Sequence, residues 1–288
     1  MSTRAELSAP LTCRDQEAED GIDSEQLLMA TMNQDLTEDE LNHIKKQWSL
    51  EQDELKKQLI VHDDLDFDPD DLDTTLKFVG GVDISFDKEN PVNAIASLIV
   101  LSFPDLKVVY EKYDRVTMQH PYIPGFLAFR EVPHLENMIH ELRQNCPQFI
   151  PQVILVDGNG ILHQRGFGLA SHLGVVVNIP TVGVAKKLLY VDDITRDTVK
   201  ELVQKHLKAK GDYAKLIGKS GIAHGVVFQP IQKTGRPLFI SIGHRISLES
   251  CIKVVLKTCI HKNPEPIRQA DLRSRRMIEA QAAWKSNQ

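Results

Sequence analysis

The 288-residue sequence contains no apolar run approaching the ~18 residues that a membrane-spanning helix requires, so no membrane partner is expected. It is also poor in cysteine. Cys13, Cys146, Cys251 and Cys259 make neither a C-x-x-C pair nor a disulfide framework, and reduced thiols are the expectation. The N-terminus lacks the basic start and apolar core of a signal peptide. Cytoplasm is therefore the expected compartment, with nucleus or nucleolus as the alternative. Several catalytic signatures are missing as well. Gly211 and Gly218-Lys219-Ser220 imitate a phosphate-binding loop, but six residues separate the glycines where the motif has four. Gly158-Asn159-Gly160 follows an apolar run, yet His163 stands where the dinucleotide fingerprint needs its third glycine. There is no G-x-S-x-G and no H-E-x-x-H. ATP hydrolysis, NAD chemistry, serine hydrolysis and zinc proteolysis all lose support.

What is present is a divided charge. Residues 1–75 hold 21 Asp/Glu against 6 Lys/Arg, and residues 76–288 hold 19 against 28. The formal charge of −6 thus conceals a basic body of +9 behind an acidic segment of −15. A basic body suits a polyanionic partner. Residues 1–36 are polar and aperiodic and read as a disordered leader. Thr37-Glu38-Asp39-Glu40 is a capping box that opens a helix over 37–60, with an apolar stripe at Leu41, Ile44, Trp48, Leu55 and Leu59. Residues 61–75 read as an acidic linker. Asp64, Asp66 and Asp68 have the early spacing of a calcium loop, but Pro69 and Thr75 occupy the positions of its glycine and glutamate.

From Lys77 the periodicity changes. Phe78–Phe86, Asn93–Phe103 and Lys107–Val116 read as three strands with short connections, which predicts an antiparallel meander. A helix follows to Asn145 with Ala128, Val132, Leu135, Ile139 and Leu142 on its buried face. Val153–Val156 is a short all-apolar run, as in a strand covered on both faces. Further strands are expected at 179–184, 225–229 and 238–243, with helices around 194–208, from Ser247 and from about Glu265. This order predicts an α/β domain on a mixed sheet flanked by helices, and the ribonuclease H-like arrangement fits it. The expected catalytic domain spans 37–276, with a tail at 277–288.

Four residues sit where chemistry could be done. Asp83 interrupts the apolar strand Phe78–Phe86, where an ionised carboxylate needs a partner. Asp157 ends a strand, Glu131 lies at the margin of the apolar helix face, and His244 ends the strand at 238–243. Each one taken singly also fits a structural role: turn, solvated helix edge, or hydrogen-bonded core histidine. Converging on one crevice, they would form an oxygen-rich site for Mg2+ or Mn2+. Pro121-Tyr122-Ile123-Pro124-Gly125 is a stiff loop that reads either as a rigid helix entry or as a wedge into stacked bases.

Six blocks in order resemble the endonuclease V family over residues 40–276. They are Gly80–Phe86, Pro121–Glu131, Val156–His163, Gly183–Lys187, Ser241–Ser247 and Pro264–Asp271. The resemblance implies a ribonuclease H-like fold and Mg2+-dependent cleavage at the second phosphodiester bond 3′ to hypoxanthine, leaving 3′-hydroxyl and 5′-phosphate ends. It implies that Asp83 and Asp157 hold the metal and that Glu131 and His244 complete the acidic site. Lys186 would be the active-site lysine and Tyr122, beside Ile123, the wedge. Gly125, Leu162 and His163 would shape the base pocket. The blocks look most like the animal branch, whose members prefer inosine in RNA, so a monomeric endoribonuclease acting on inosine-containing RNA is expected. A repair endonuclease on deaminated DNA and a non-catalytic inosine-RNA binder are the alternatives.

Overall fold

The computed structural model describes residues 33, 35–87, 89–231 and 236–286. Helix α1 (Glu38–Lys56) begins as its capping box dictates, with the Thr37 hydroxyl accepting from Glu40 N and Glu40 accepting from Thr37 N. A short helix α2 (Leu72–Thr75) precedes β1 (Phe78–Phe86), β2 (Asn93–Ser102) and β3 (Val108–Thr117). Then come α3 (Ala128–Asn145), β4 (Val153–Asp157), α4 (Leu169–Val177), β5 (Thr181–Ala185) and α5 (Arg196–His206). The chain continues with β6 (Tyr213–Ile217), β7 (Ala223–Phe228), β8 (Leu238–His244), α6 (Leu248–Thr258) and α7 (Glu265–Ser286).

The strands form one eight-stranded mixed sheet in the order β3-β2-β1-β4-β5-β8-β7-β6. β1, β4 and β5 run parallel at its centre, with antiparallel ladders on both sides. β4 is buried on both faces, which is why its sequence is apolar without alternation. On one face α3 and α4 pack Val132, Leu135, Ile139, Leu173 and Val177 against Val82, Leu98, Ile154 and Val156. On the other face α6 and α7 bring Cys251, Val254, Val255 and Ile267 onto Val153, Leu155, Val182 and Ile240. This is the α/β architecture that the element order predicts.

Two expectations need correction. Residues 61–75 are packed against the body and do not behave as a linker. Phe67, Leu72 and Leu76 are buried in the core beneath α6. The acidic residues match α6 electrostatically: Asp63 accepts from Ser247 N and the Ser247 and Ser250 hydroxyls at its N-terminus, while Asp70 and Asp73 pair with Lys253 and Lys257. The expected tail at 277–288 is not a separate segment, because α7 continues to Ser286. The leader expected over 1–36 falls largely outside the described residues. Cys146, Cys251 and Cys259 are free thiols, and among the described residues no helix is long and apolar enough to cross a membrane.

Candidate active site

Parallel strands β1, β4 and β5 deliver their C-terminal ends to one edge of the sheet, where open α/β sheets place their ligands. Val82 pairs with Val156 in register, so Asp83 and Asp157 stand side by side on adjacent strands. Lys186 follows directly on β5, and its Nζ donates to Asp157 Oδ2 at 2.5 Å. Each face of the sheet adds a carboxylate to this edge. From one side comes Glu131, in the first turn of α3. From the other comes Asp271 of α7, which lines a cavity of about 520 Å³ with Asp83, Asp157, Lys186 and Arg275. Helix α7 reaches β1 because residue 81 is glycine; a Cβ there would lie 2.2 Å from the Pro266 carbonyl carbon. Asp83 itself is held by two hydroxyls: Oδ2 accepts from Ser85 at 3.0 Å and from Ser274 of α7 at 3.2 Å.

The electrostatics are those of a site in which carboxylates outnumber the cations that face them. An inner cavity of about 210 Å³ is lined by Asp83, Glu131 and Asp157 with only apolar side chains between them. Burial, then the charges of Asp157 and Asp271, push the Asp83 carboxyl up to about 6. Burial pushes Glu131 up to about 7, against the pull of Arg130 and with the help of Asp83 and Asp157. Burial opposes the charge on Lys186, but Asp157, Asp271 and Asp83 outweigh it and its pKa is raised. Three hard oxygen donors with no cation lining their cavity suit Mg2+ or Mn2+. Among the described residues no three His, Cys, Asp or Glu side chains stand close enough together to hold one metal ion. A cation here would be held by few protein oxygens, as Mg2+ commonly is beside a phosphate.

A second cavity of about 370 Å³ opens from the same carboxylates. Glu131 and Asp157 stand at one end, and Pro124, Gly125, Gln164 and Phe167 line the remainder with Asn159 and His163. Its floor is the loop after β4, pressed onto β8: Ile161 N donates to Ile242 O, and a Cβ at Gly160 would lie 1.9 Å from that oxygen. Gly125 bends the opposite wall with φ +84. His163 lines this cavity, and burial followed by the charges of Arg165 and Lys56 holds its pKa down at about 4, so the ring is neutral at pH 7. Leu162 lies behind the cavity, fully buried among Ala185, Ile194 and Phe239. Tyr122 and Ile123 are also inside: Ile123 packs with Trp48, Phe126 and Phe129, and the Arg130 guanidinium lies 5.4 Å from the Tyr122 ring centroid. At 6% exposure the Tyr122 ring must leave this packing before it can meet a base.

His244 is not at this edge. β8 runs antiparallel to β5, and His244 pairs with Thr181 at the start of β5, while Asp157 pairs with Val184 near its end. The strand end that carries His244 therefore points away from the carboxylates. There its Nδ1 accepts from Ile60 N at 3.3 Å, and burial with Arg245 keeps its pKa near 4. It anchors the chain leaving α1. The expected position of His244 in the acidic site is overturned by strand direction, and Asp271 takes that place.

A sequence profile described as "Endonuclease V" matches residues 53–272. The chain belongs to the endonuclease V family. It is 47% identical to endonuclease V of Homo sapiens over 231 residues, covering 80% of this chain and 82% of that protein. It is 48% identical to the Mus musculus protein, covering 80% and 68%. The crystal structure of human endonuclease V superposes with a TM-score of 0.78 at 46% identity, covering 82% of this chain and 99% of that one. A Ciona intestinalis endonuclease V structure gives a TM-score of 0.74 at 32% identity, covering 85% and 99%. As a family member the chain is a metal-dependent endonuclease. Of the residues that the likeness to endonuclease V suggested, the structure brings Asp83, Glu131, Asp157 and Lys186 together and sets Gly125 and His163 beside them. Asp271, Ser85 and Ser274 were not among them. Asp271 closes the last block of resemblance, Pro264–Asp271, and that place is the signal the sequence offers.

Proposed function

We propose that this endonuclease V cuts inosine-containing RNA at the second phosphodiester bond 3′ to inosine, leaving 3′-hydroxyl and 5′-phosphate ends, with Mg2+ as its metal. The observation that carries this reading is the junction of the acidic edge with a 370 Å³ cavity, a size suited to a small ligand. An extruded base would occupy the cavity while its strand passes the carboxylates. Hypoxanthine pairs weakly, so extruding it costs less than extruding a normal base. Asp83 and Asp157 would hold the metal. When bound, Mg2+ supplies polarisation of the phosphate and of the attacking water. Lys186, fixed on Asp157, faces the negative charge that develops on the phosphate oxygens. Glu131, which lines the same inner cavity as Asp83 and Asp157, would complete the metal's oxygen shell or orient the attacking water. Asp271, Ser85 and Ser274 position Asp83. The enzyme acts as a monomer in the cytoplasm in this reading.

The preference for RNA is supported by the Ciona intestinalis protein, which was crystallised with DNA containing an inosine followed by a ribo-adenosine. A lone ribonucleotide after the inosine puts a 2′-hydroxyl beside the deaminated base, and that group is what separates RNA from DNA at a site. Deaminated DNA is the second reading, favoured by the deoxyribose of the remaining strand in the same complexes. Three oligonucleotides of one sequence decide between them: inosine in RNA, inosine in DNA, and inosine in DNA followed by one ribonucleotide, each with Mg2+ and with EDTA. The expected result is cleavage of the first and third in Mg2+ alone. Equal cleavage of all three would refute the RNA preference, and cleavage in EDTA would refute the metal requirement.

A further inference from the structure

A third cavity, of about 480 Å³, lies on the far side of the base cavity from the carboxylates. Pro124, Gly125 and Gln164 line both cavities, so the two adjoin. Its outer wall is α1. Asn42, Lys45, Lys46 and Ser49 line it, at positions i, i+3, i+4 and i+7 of one helical face. The opposite wall is the turn carrying Gln164 and Arg165. The Arg165 guanidinium is locked in place by Asp53 at 2.7 Å, the Ser49 carbonyl and the Gln52 side chain. Lys45 and Lys46 are exposed and have no carboxylate partner among the described residues, although Glu38, Asp39, Glu40, Glu51, Asp53 and Glu54 share their helix. Three cations against Asp53 leave the recess with two positive charges. Polar donors and unpaired lysines along a recess that adjoins a base cavity are the chemistry of a sugar-phosphate backbone.

We infer that this recess is a phosphate shelf holding the substrate strand on the 5′ side of the extruded base, with Lys45 and Lys46 as its contacts. The direction follows from the proposed cleavage 3′ to inosine, on which this inference rests: the 3′ strand crosses the carboxylates, so the strand at the opposite end of the base cavity is the 5′ one. α1 then has two jobs. Its apolar stripe docks Trp48 against Phe126 and Phe129, and its polar face tracks the nucleic acid.

The test is equilibrium binding of fluorescently labelled single-stranded inosine oligonucleotides to the full chain and to a K45A/K46A variant in EDTA. The oligonucleotides extend on both sides of the inosine, on the 5′ side only, or on the 3′ side only. Two lost contacts to a single strand flatten the log K against log salt slope by about 1.4, or ~25-fold weaker binding at 0.1 M salt and convergence toward 1 M. That loss is expected for strands with a 5′ extension and absent for the strand that begins at inosine. A K45R/K46R variant should bind as the native chain does. Unchanged binding of the 5′-extended strands overturns the inference, and so does equal loss on the strand that begins at inosine. Tighter binding by K45A/K46A also overturns it, since the lysines would then be occupied by acidic residues of this same chain. Cleavage of the same strands by the native chain in Mg2+ is read separately. Failure there counts against the proposed function, while the salt slopes and the trimmed strands still decide the shelf.

Discussion

Divalent-cation binding at the acidic edge should release protons, in a number fixed by the two raised carboxyls. Metal ligation requires ionised carboxylates. With Asp83 at about 6 and Glu131 at about 7, at pH 6 the first carries about 0.5 proton and the second about 0.9. If both are ionised once Mg2+ is held, about 1.4 protons leave per ion at pH 6 and about 0.1 at pH 8. The same linkage weakens apparent Mg2+ affinity by about 20-fold at pH 6 relative to pH 8, or ~1.8 kcal/mol. Isothermal titration of Mg2+ into the metal-free protein, in two buffers of different ionisation enthalpy at each pH, reads the proton number directly. An Asp83→Asn variant should release at least about half a proton fewer at pH 6, since Glu131 also loses the repulsion of Asp83. Proton release near zero at pH 6, with equal affinity at both pH values, would refute the claim that these carboxyls are raised by burial and mutual repulsion and discharged by the metal.

Three further outcomes are expected. Asp271→Asn removes one of the charges that raise Asp83 and one acidic wall of the site; cleavage should fall at least ~10-fold with thermal stability retained, and an unchanged rate would return Asp271 to a surface role. Tyr122→Ala should destabilise the protein by roughly 3 kcal/mol in denaturant unfolding without nucleic acid, because the ring is packed against Arg130; a freely exposed wedge would leave the midpoint unmoved. The metal-free chain should lose stability as pH rises. Glu131 and Asp83 have raised folded pKa values, so their favourable contribution is complete below the unfolded values near 4 and disappears through about 6 to 7. The loss is of order 2–3 kcal/mol for each group and about 5 kcal/mol for the two together, and unfolding midpoints followed from pH 4 to pH 8 in EDTA should decline and be restored by Mg2+ at the upper end.

The sequence exposes those parts of this molecule whose physics is local. β1, β2, α3 and β4 declare themselves because a 3.6-residue stripe and near-continuous apolar runs each reflect which faces are buried. Asp83 is legible for the same reason, as a charge in a strand that should have none. Strand direction is not local, and this is how His244 was misplaced: the end of a strand marks a crevice only when the strand runs parallel to its catalytic neighbours. Asp271 was hidden differently. It sits on a helix rich in charged residues, where another carboxylate looks like solvated surface until Gly81 lets that helix descend onto β1. β6 alternates clearly, with Ala214 and Leu216 buried, but it lies inside the segment that imitates a phosphate loop. The acidic stretch 61–75 deceived by composition. Asp63, Asp64, Asp70 and Asp73 are matched to the N-terminus and lysines of α6 and to Arg245, and Phe67 and Leu72 among them bury themselves.

The contact between β1 and α7 joins residue 83 to residue 271, with nearly the whole domain threaded between them. A chain emerging from a ribosome would therefore present Asp83, Glu131 and Asp157 long before the helix that orients Asp83 exists. Ser274 and Asp271 arrive last, and their docking adds the second hydroxyl that holds the carboxylate beside Ser85. The strands supply the first carboxylates, and the last helix of the domain completes their arrangement.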